Sequence, residues 1–207
     1  MSVTAGPLAE AKRQAALDHV LTAARRFVIE NGLDATMEQL AEASGVSRRT
    51  LFRLFGTREK LVASAFSTAM VNYMQNLPGY DGEVEGWLRS TCEAAHRMNA
   101  AIGPGFWELM SRSDLPPEFD AVQRSLRQDW RVRTADIARL SWQGLGRLGE
   151  TPDELLVTVG AHLSSHFTAA VVTDAGRTWQ TASELAYKAI IGTLRSLTPE
   201  APTTAAD

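Results

Sequence analysis

Two kinds of side-chain cluster in this 207-residue chain could do chemistry. The first is basic. Between positions 47 and 60 stand Arg48, Arg49, Arg53, Arg58 and Lys60 against Glu59 alone, a local charge of +4. The whole chain carries −3, so the remainder sums to −7. A guanidinium presents its donors in a rigid fork that matches phosphate oxygens and the guanine edge. A compact basic patch on an acidic body is therefore a local footprint for a polyanion. The second kind is a pair of soft or nitrogen donors one helical turn apart, Cys92 with His96 and His162 with His166. That spacing can hold a metal, but each pair supplies two ligands and no third accompanies it. Neither pair has the orienting acid or oxyanion loop that nucleophilic catalysis needs. The expectation is no metal, no cofactor and no catalytic residue.

Almost everything between the termini has helical period, with no alternating strand pattern of useful length. Helices are expected over 12–31, 36–44, 47–55 and 58–76. Further segments are expected over 83–101, 104–112, 117–148, 152–173 and 181–197. Thr36 and Gln39 have capping-box spacing, Gly45 ends the second helix and Ser47 caps the third. Thr151-Pro152-Asp153-Glu154 and Thr181 to Glu184 carry the same kind of helix-start signal. The reading is an all-α fold: an N-terminal three-helix helix-turn-helix domain over 12–57, then a larger helical bundle over 58–197. Residues 1–11 read as a flexible arm and 198–207 as a flexible tail. A single cysteine, Cys92, forbids an intramolecular disulfide and fits a reducing cytosol. No apolar run is long enough to span a membrane. A cytoplasmic protein with no membrane partner is expected.

The basic cluster gains meaning from its frame, Met37 to Phe55. Two short helices must cross steeply around a tight turn. Ala41 is small enough to allow the approach, and Gly45 can take the positive φ of the turn. Leu40, Val46, Leu51 and Leu54 are expected inside. Arg48, Arg49, Phe52 and Arg53 are left off the buried face, with Arg49 and Arg53 one turn apart. This is the layout of a recognition helix offering its first residues to the major groove of DNA. A capped helical hairpin with surface arginines would share parts of the pattern, but seldom all of them together.

The stretch from about Ala16 to Leu61 resembles the DNA-binding domain of the tetracycline-repressor (TetR) family. The resemblance rests on Ala23-Ala24, Gly32, Thr36, Leu40-Ala41, Gly45-Val46-Ser47, Thr50-Leu51-Phe52, Phe55 and Arg58-Glu59-x-Leu61. It covers about a quarter of the chain, without interruption. It implies that Thr36 and Thr50 lie at the phosphates and that Arg48, Arg49 and Arg53 reach bases or backbone, with the capping Ser47 among the DNA-binding residues. Arg58 stands where the family usually has Lys and is expected on a phosphate. Phe52 replaces the usual Tyr, which removes one phosphate hydrogen bond and leaves a ring that can touch a thymine methyl. Leu54 replaces the usual His, and Arg49 replaces a frequent Gly.

The resemblance also implies a small-molecule effector, a homodimer and double-stranded operator DNA as partners. Cys92, His96, Met98, Phe106, Trp107, Met110, Trp130 and Phe167 are the candidate lining of a largely apolar ligand pocket. Residues of the same types at the same spacing also build ordinary cores. For the dimer face, the candidates are the small residues of 157–172 and one side of the last helix: Val157, Gly160, Ala161, Ser164, Ala186, Ala189, Ile190 and Thr193. Both helices would serve equally as internal core. The functional expectation is a sequence-specific regulator, a repressor released from a palindromic operator by its ligand. A helical enzyme and a protein-interaction module without DNA binding are the alternatives.

Overall fold

The computed structural model describes residues 6–197; the outer part of the expected arm, 1–5, and the whole expected tail, 198–207, lie outside them. All regular structure among the described residues is helical. The described residues form two compact units, one built from 6–75 and 102–127 and the other from 76–101 and 128–197.

The first unit opens with α1, Pro7–Asn31. It begins five residues before the expected start. Gly6 stands at the N-cap and Pro7 at the first helical position, where proline's fixed φ favours a helix and its missing N–H costs nothing. Residues 7–11 of the expected arm are therefore helix. Then come α2 (Met37–Ser44), α3 (Arg48–Phe55) and α4 (Arg58–Gln75). After the excursion into the second unit the chain returns with α6 (Pro104–Ser111) and the start of α7 (Pro117–Gly144). Val28, Leu33, Leu40, Leu51, Leu61, Val62, Phe66, Leu109 and Phe119 are buried at its centre. The Phe66 and Phe106 rings pack with centroids 5.9 Å apart. α6 lies so close to the end of α1 that a Cβ on Gly105 would come within 2.5 Å of the Val28 carbonyl oxygen.

The second unit holds α5 (Val84–Ile102), the rest of α7, α8 (Asp153–His162), α9 (Ser165–Ala169), a π-helical turn (Ala170–Asp174) and α10 (Trp179–Ser196). The single helix expected over 152–173 is broken. Ser164 leaves helical geometry at ψ 155° and its hydroxyl accepts from the Phe167 N–H, which starts a new helix. Two start signals also moved. Pro152, not Thr151, is the N-cap of α8, and Thr178, not Thr181, caps α10 by accepting from the Thr181 N–H. α7 stops at Gly144, before the expected Leu148. Glycine is a poor helix former, and two of the residues 144–146 are glycine. Leu88, Cys92, Ala95, Ala138, Leu155, Val159, Leu163, Ala186, Ile190 and Leu194 fill the centre of this unit.

Candidate nucleic-acid interface

The helix-turn-helix forms as its local chemistry dictates. Thr36 and Gln39 make a full capping box: the Thr36 hydroxyl accepts from the Gln39 N–H at 3.3 Å, and the Thr36 N–H donates to Gln39 Oε1 at 2.8 Å. Gly45 sits in the left-handed region at φ 66°, which residues with a Cβ rarely adopt. Ser47 then caps α3, accepting from the Thr50 N–H at 3.2 Å, with the two hydroxyls 2.9 Å apart. Leu40 and Leu51 are wholly buried and anchor the two helices.

This frame leaves Thr36, Ser47, Arg48, Arg49, Phe52 and Arg53 exposed and Thr50 half-buried. The three arginines, a hydroxyl pair and an aromatic ring share one short helix and its cap. Unsatisfied N–H groups at the start of such a helix and three cations suit phosphate and base-edge contacts. Two expectations fail here. Leu54 is not internal: it is 41% exposed and borders a groove of about 590 Å³ with Phe55, Lys60, Ser64 and Glu118. Arg58 is not free for a phosphate. Its Nη1 donates to the Leu33 and Ala35 carbonyls at 2.7 and 3.1 Å, its Nε donates to Glu59 at 2.8 Å, and its guanidinium lies 5.7 Å from the Phe119 ring centroid. The charge ties the start of α4 to the α1–α2 connection.

Sequence reasoning missed Glu38. Its carboxylate pairs with Arg48 at 2.6 Å, and the Arg48 guanidinium also lies 5.2 Å from the Phe52 ring centroid. The two charged residues are ten apart on different helices, so no local spacing announces the pair. Only the crossing of α2 and α3 creates it.

The candidate pocket residues divide between the two units. Phe106, Trp107 and Met110 belong to the first, where Phe106 is core against Phe66. Cys92, His96, Met98, Trp130 and Phe167 belong to the second. There His96 is fully buried, with Nδ1 2.8 Å from the Thr168 hydroxyl, which also accepts from Asn99 Nδ2 at 3.1 Å. The Phe167 ring lies between those of His96 and His162, at 5.7 and 5.0 Å. Burial pushes the His96 pKa down to about 4 and the Cys92 thiol up to about 12, so both are neutral near pH 7. Among the described residues no group of three or more His, Cys, Asp or Glu side chains is placed to hold a metal. No single helix among them is long and apolar enough to cross a membrane.

Of the candidate dimer residues, Val157 and Ala161 are exposed, and Gly160, Ser164, Ala189 and Thr193 are partly so. Ala186 and Ile190 have no exposed surface. Both are taken up in the core of their own unit, which leaves neither any surface to offer a second chain.

A capped, arginine-bearing helix held across a left-handed glycine turn defines a helix-turn-helix DNA-binding regulator. The comparisons agree. Residues 20–65 match the family described as bacterial regulatory proteins, tetR family. A chain assigned to the TetR-family transcriptional regulators from Rhodococcus sp. superposes with a TM-score of 0.70 at 17% identity, covering 87% of this chain and 99% of that one. A TetR-family regulator from Streptomyces coelicolor gives 0.64 at 19%, covering 96% and 85%. The fatty acid degradation regulator FadR from Bacillus halodurans gives 0.64 at 16%, covering 93% and 99%. These likenesses carry the fold beyond the N-terminal domain. No curated protein matches the chain in sequence.

Proposed function

We propose that this regulator is a homodimeric repressor of a palindromic or near-palindromic operator, released from it by a small, largely apolar ligand. The observation that carries the reading is α3. Its cap is formed, its apolar side is anchored by Leu51, and Arg48, Arg49 and Arg53 stand exposed on it. Arg49 and Arg53 are the base-reading candidates, and Ser47 and Thr50 the phosphate-positioning ones. A dimer would set two such helices about 34–36 Å apart, one turn of DNA. The face offered to the second copy is the exposed part of the expected one, Val157, Gly160 and Ala161 on α8 and Ala189 on α10, joined by the exposed Leu185.

The proposed ligand site lies in the second unit, near the buried His96–Thr168–Asn99 cluster and Met98, Trp130 and Phe167. A few convergent polar groups in an apolar wall suit a small, mostly apolar molecule. The irregular backbone beside it, a helix break followed by a π-turn, is the kind of feature often retained at functional sites. The ligand acts by binding better to the conformation that fits the operator poorly.

The test is a selection of genomic DNA fragments by the purified chain at two salt concentrations. Recovery of a shared two-fold site that survives the higher salt supports the reading. Recovery only of unrelated fragments, lost as salt rises, overturns it.

A further inference from the structure

The Glu38 carboxylate stands on the basic face it would be expected to weaken. Any acidic group there repels phosphates and lowers affinity for all DNA alike. An exposed ion pair contributes little to folding stability, and both side chains of this one are more than half exposed. Stability therefore does not explain it. What it does is restrict Arg48. That side chain has many rotamers when free, but here one end of its guanidinium, Nη1, is paired with Glu38 at 2.6 Å and the plane lies 5.2 Å from the Phe52 ring centroid. Phe52 is itself exposed and fixed to the same helix, one turn along. The carboxylate comes from α2, whose start is set by the Thr36–Gln39 capping box. Arg48 is thus gripped from two helices.

We propose that Glu38 is a specificity-determining residue that acts through Arg48. It orients the guanidinium so that the Nε and Nη2 edge points outward, the edge that can donate twice to guanine O6 and N7. A fixed fork matches one base edge well and a mobile one matches every phosphate nearly as well. The contact trades general affinity for discrimination. This inference rests on the DNA-binding reading of α3.

The experiment measures affinity of the dimer for its selected site and for a scrambled duplex of the same length, in native, Glu38→Gln, Arg48→Ala and double-variant chains. Glu38→Gln is expected to reduce the ratio of specific to scrambled affinity about tenfold, mainly at one base-pair position. In the Arg48→Ala background the same change is expected to leave the ratio where Arg48→Ala put it, since the two residues act as one unit. An unchanged ratio in Glu38→Gln overturns the inference. So does an equal loss with and without Arg48. A native chain that shows no preference for any site would instead overturn the DNA-binding reading.

Discussion

Arg58 shows how much a residue's role depends on what its side chain meets. By type and position it belongs with the basic cluster, yet it holds two buried-segment carbonyls and a carboxylate at the start of α4. Arg58→Ala should therefore destabilise the fold by about 2 kcal/mol, the scale of charge-assisted hydrogen bonds lost. The folded variant should keep the salt dependence of DNA binding. Denaturant melts and a salt titration check the two halves; a flattened salt slope at native stability would return Arg58 to the phosphates. His96 poses a different question at the same scale. Its imidazole titrates near 4 when folded and near 6.5 when unfolded. Between those values the unfolded chain binds the extra proton, so stability is complete above pH 6.5 and falls as pH drops toward 4. The full loss amounts to about 3 kcal/mol. His96→Gln should remove that part of the slope, seen as a smaller difference between melts at pH 7 and pH 5. Equal slopes in both proteins would place the acid sensitivity elsewhere. Type and spacing made the exposed arginines legible in the sequence. The fates of Arg58, Leu54 and Glu38 were not, because each is set by a neighbour far away in the chain.

The short helices of the helix-turn-helix were read correctly from their caps, whereas the starts of α8 and α10 and the break between α8 and α9 were not. The Thr36–Gln39 box, the Gly45 turn and the Ser47 cap are decided within ten or so residues, and α2 and α3 lie where the sequence puts them. The 152–173 stretch has an unbroken helical pattern. It still breaks at Ser164, whose hydroxyl competes for a backbone N–H, as serine side chains do. The tight approach of α6 to α1 was equally silent. Gly105 reads as a weak helix residue, one that alanine should improve. Its added Cβ would meet the Val28 carbonyl at 2.5 Å and the Ile29 Cα at 3.1 Å, both backbone atoms that cannot rotate aside. Overpacking should win, and Gly105→Ala should cost about 1–3 kcal/mol. Gly86, on α5 with nothing near its would-be Cβ, serves as the contrast: Gly86→Ala should gain up to about 1 kcal/mol. Thermal or denaturant unfolding of both variants checks the opposite signs. Stabilisation at both positions would mean α6 does not seat on α1 as described.

At the scale of the whole molecule, the question is what a second copy would touch. Small residues along α8 and α10 gave the expectation, but periodicity cannot say which side of a helix its own unit has already covered. The burial of Ala186 and Ile190 answers that for α10 and leaves Val157, at 69% exposed, as the most exposed apolar side chain on the remaining face. It lines a groove of about 510 Å³ whose other walls include Trp130, Leu156 and Ala161. A monomer gains little from keeping valine in water there, whereas a dimer would bury it. Val157→Glu adds a carboxylate at that point and, by two-fold symmetry, a second one in the partner. The desolvation and like-charge cost falls on the dimer alone, so the fold should melt as the native chain does when both are monomeric. Sedimentation should show the native chain as a dimer and Val157→Glu shifted toward monomer at the same concentration. Operator affinity should fall with it, because a monomer engages one half-site and must pay for each binding event separately. A variant that stays dimeric and binds its operator normally would put the interface on another surface and leave the exposed valine without a role.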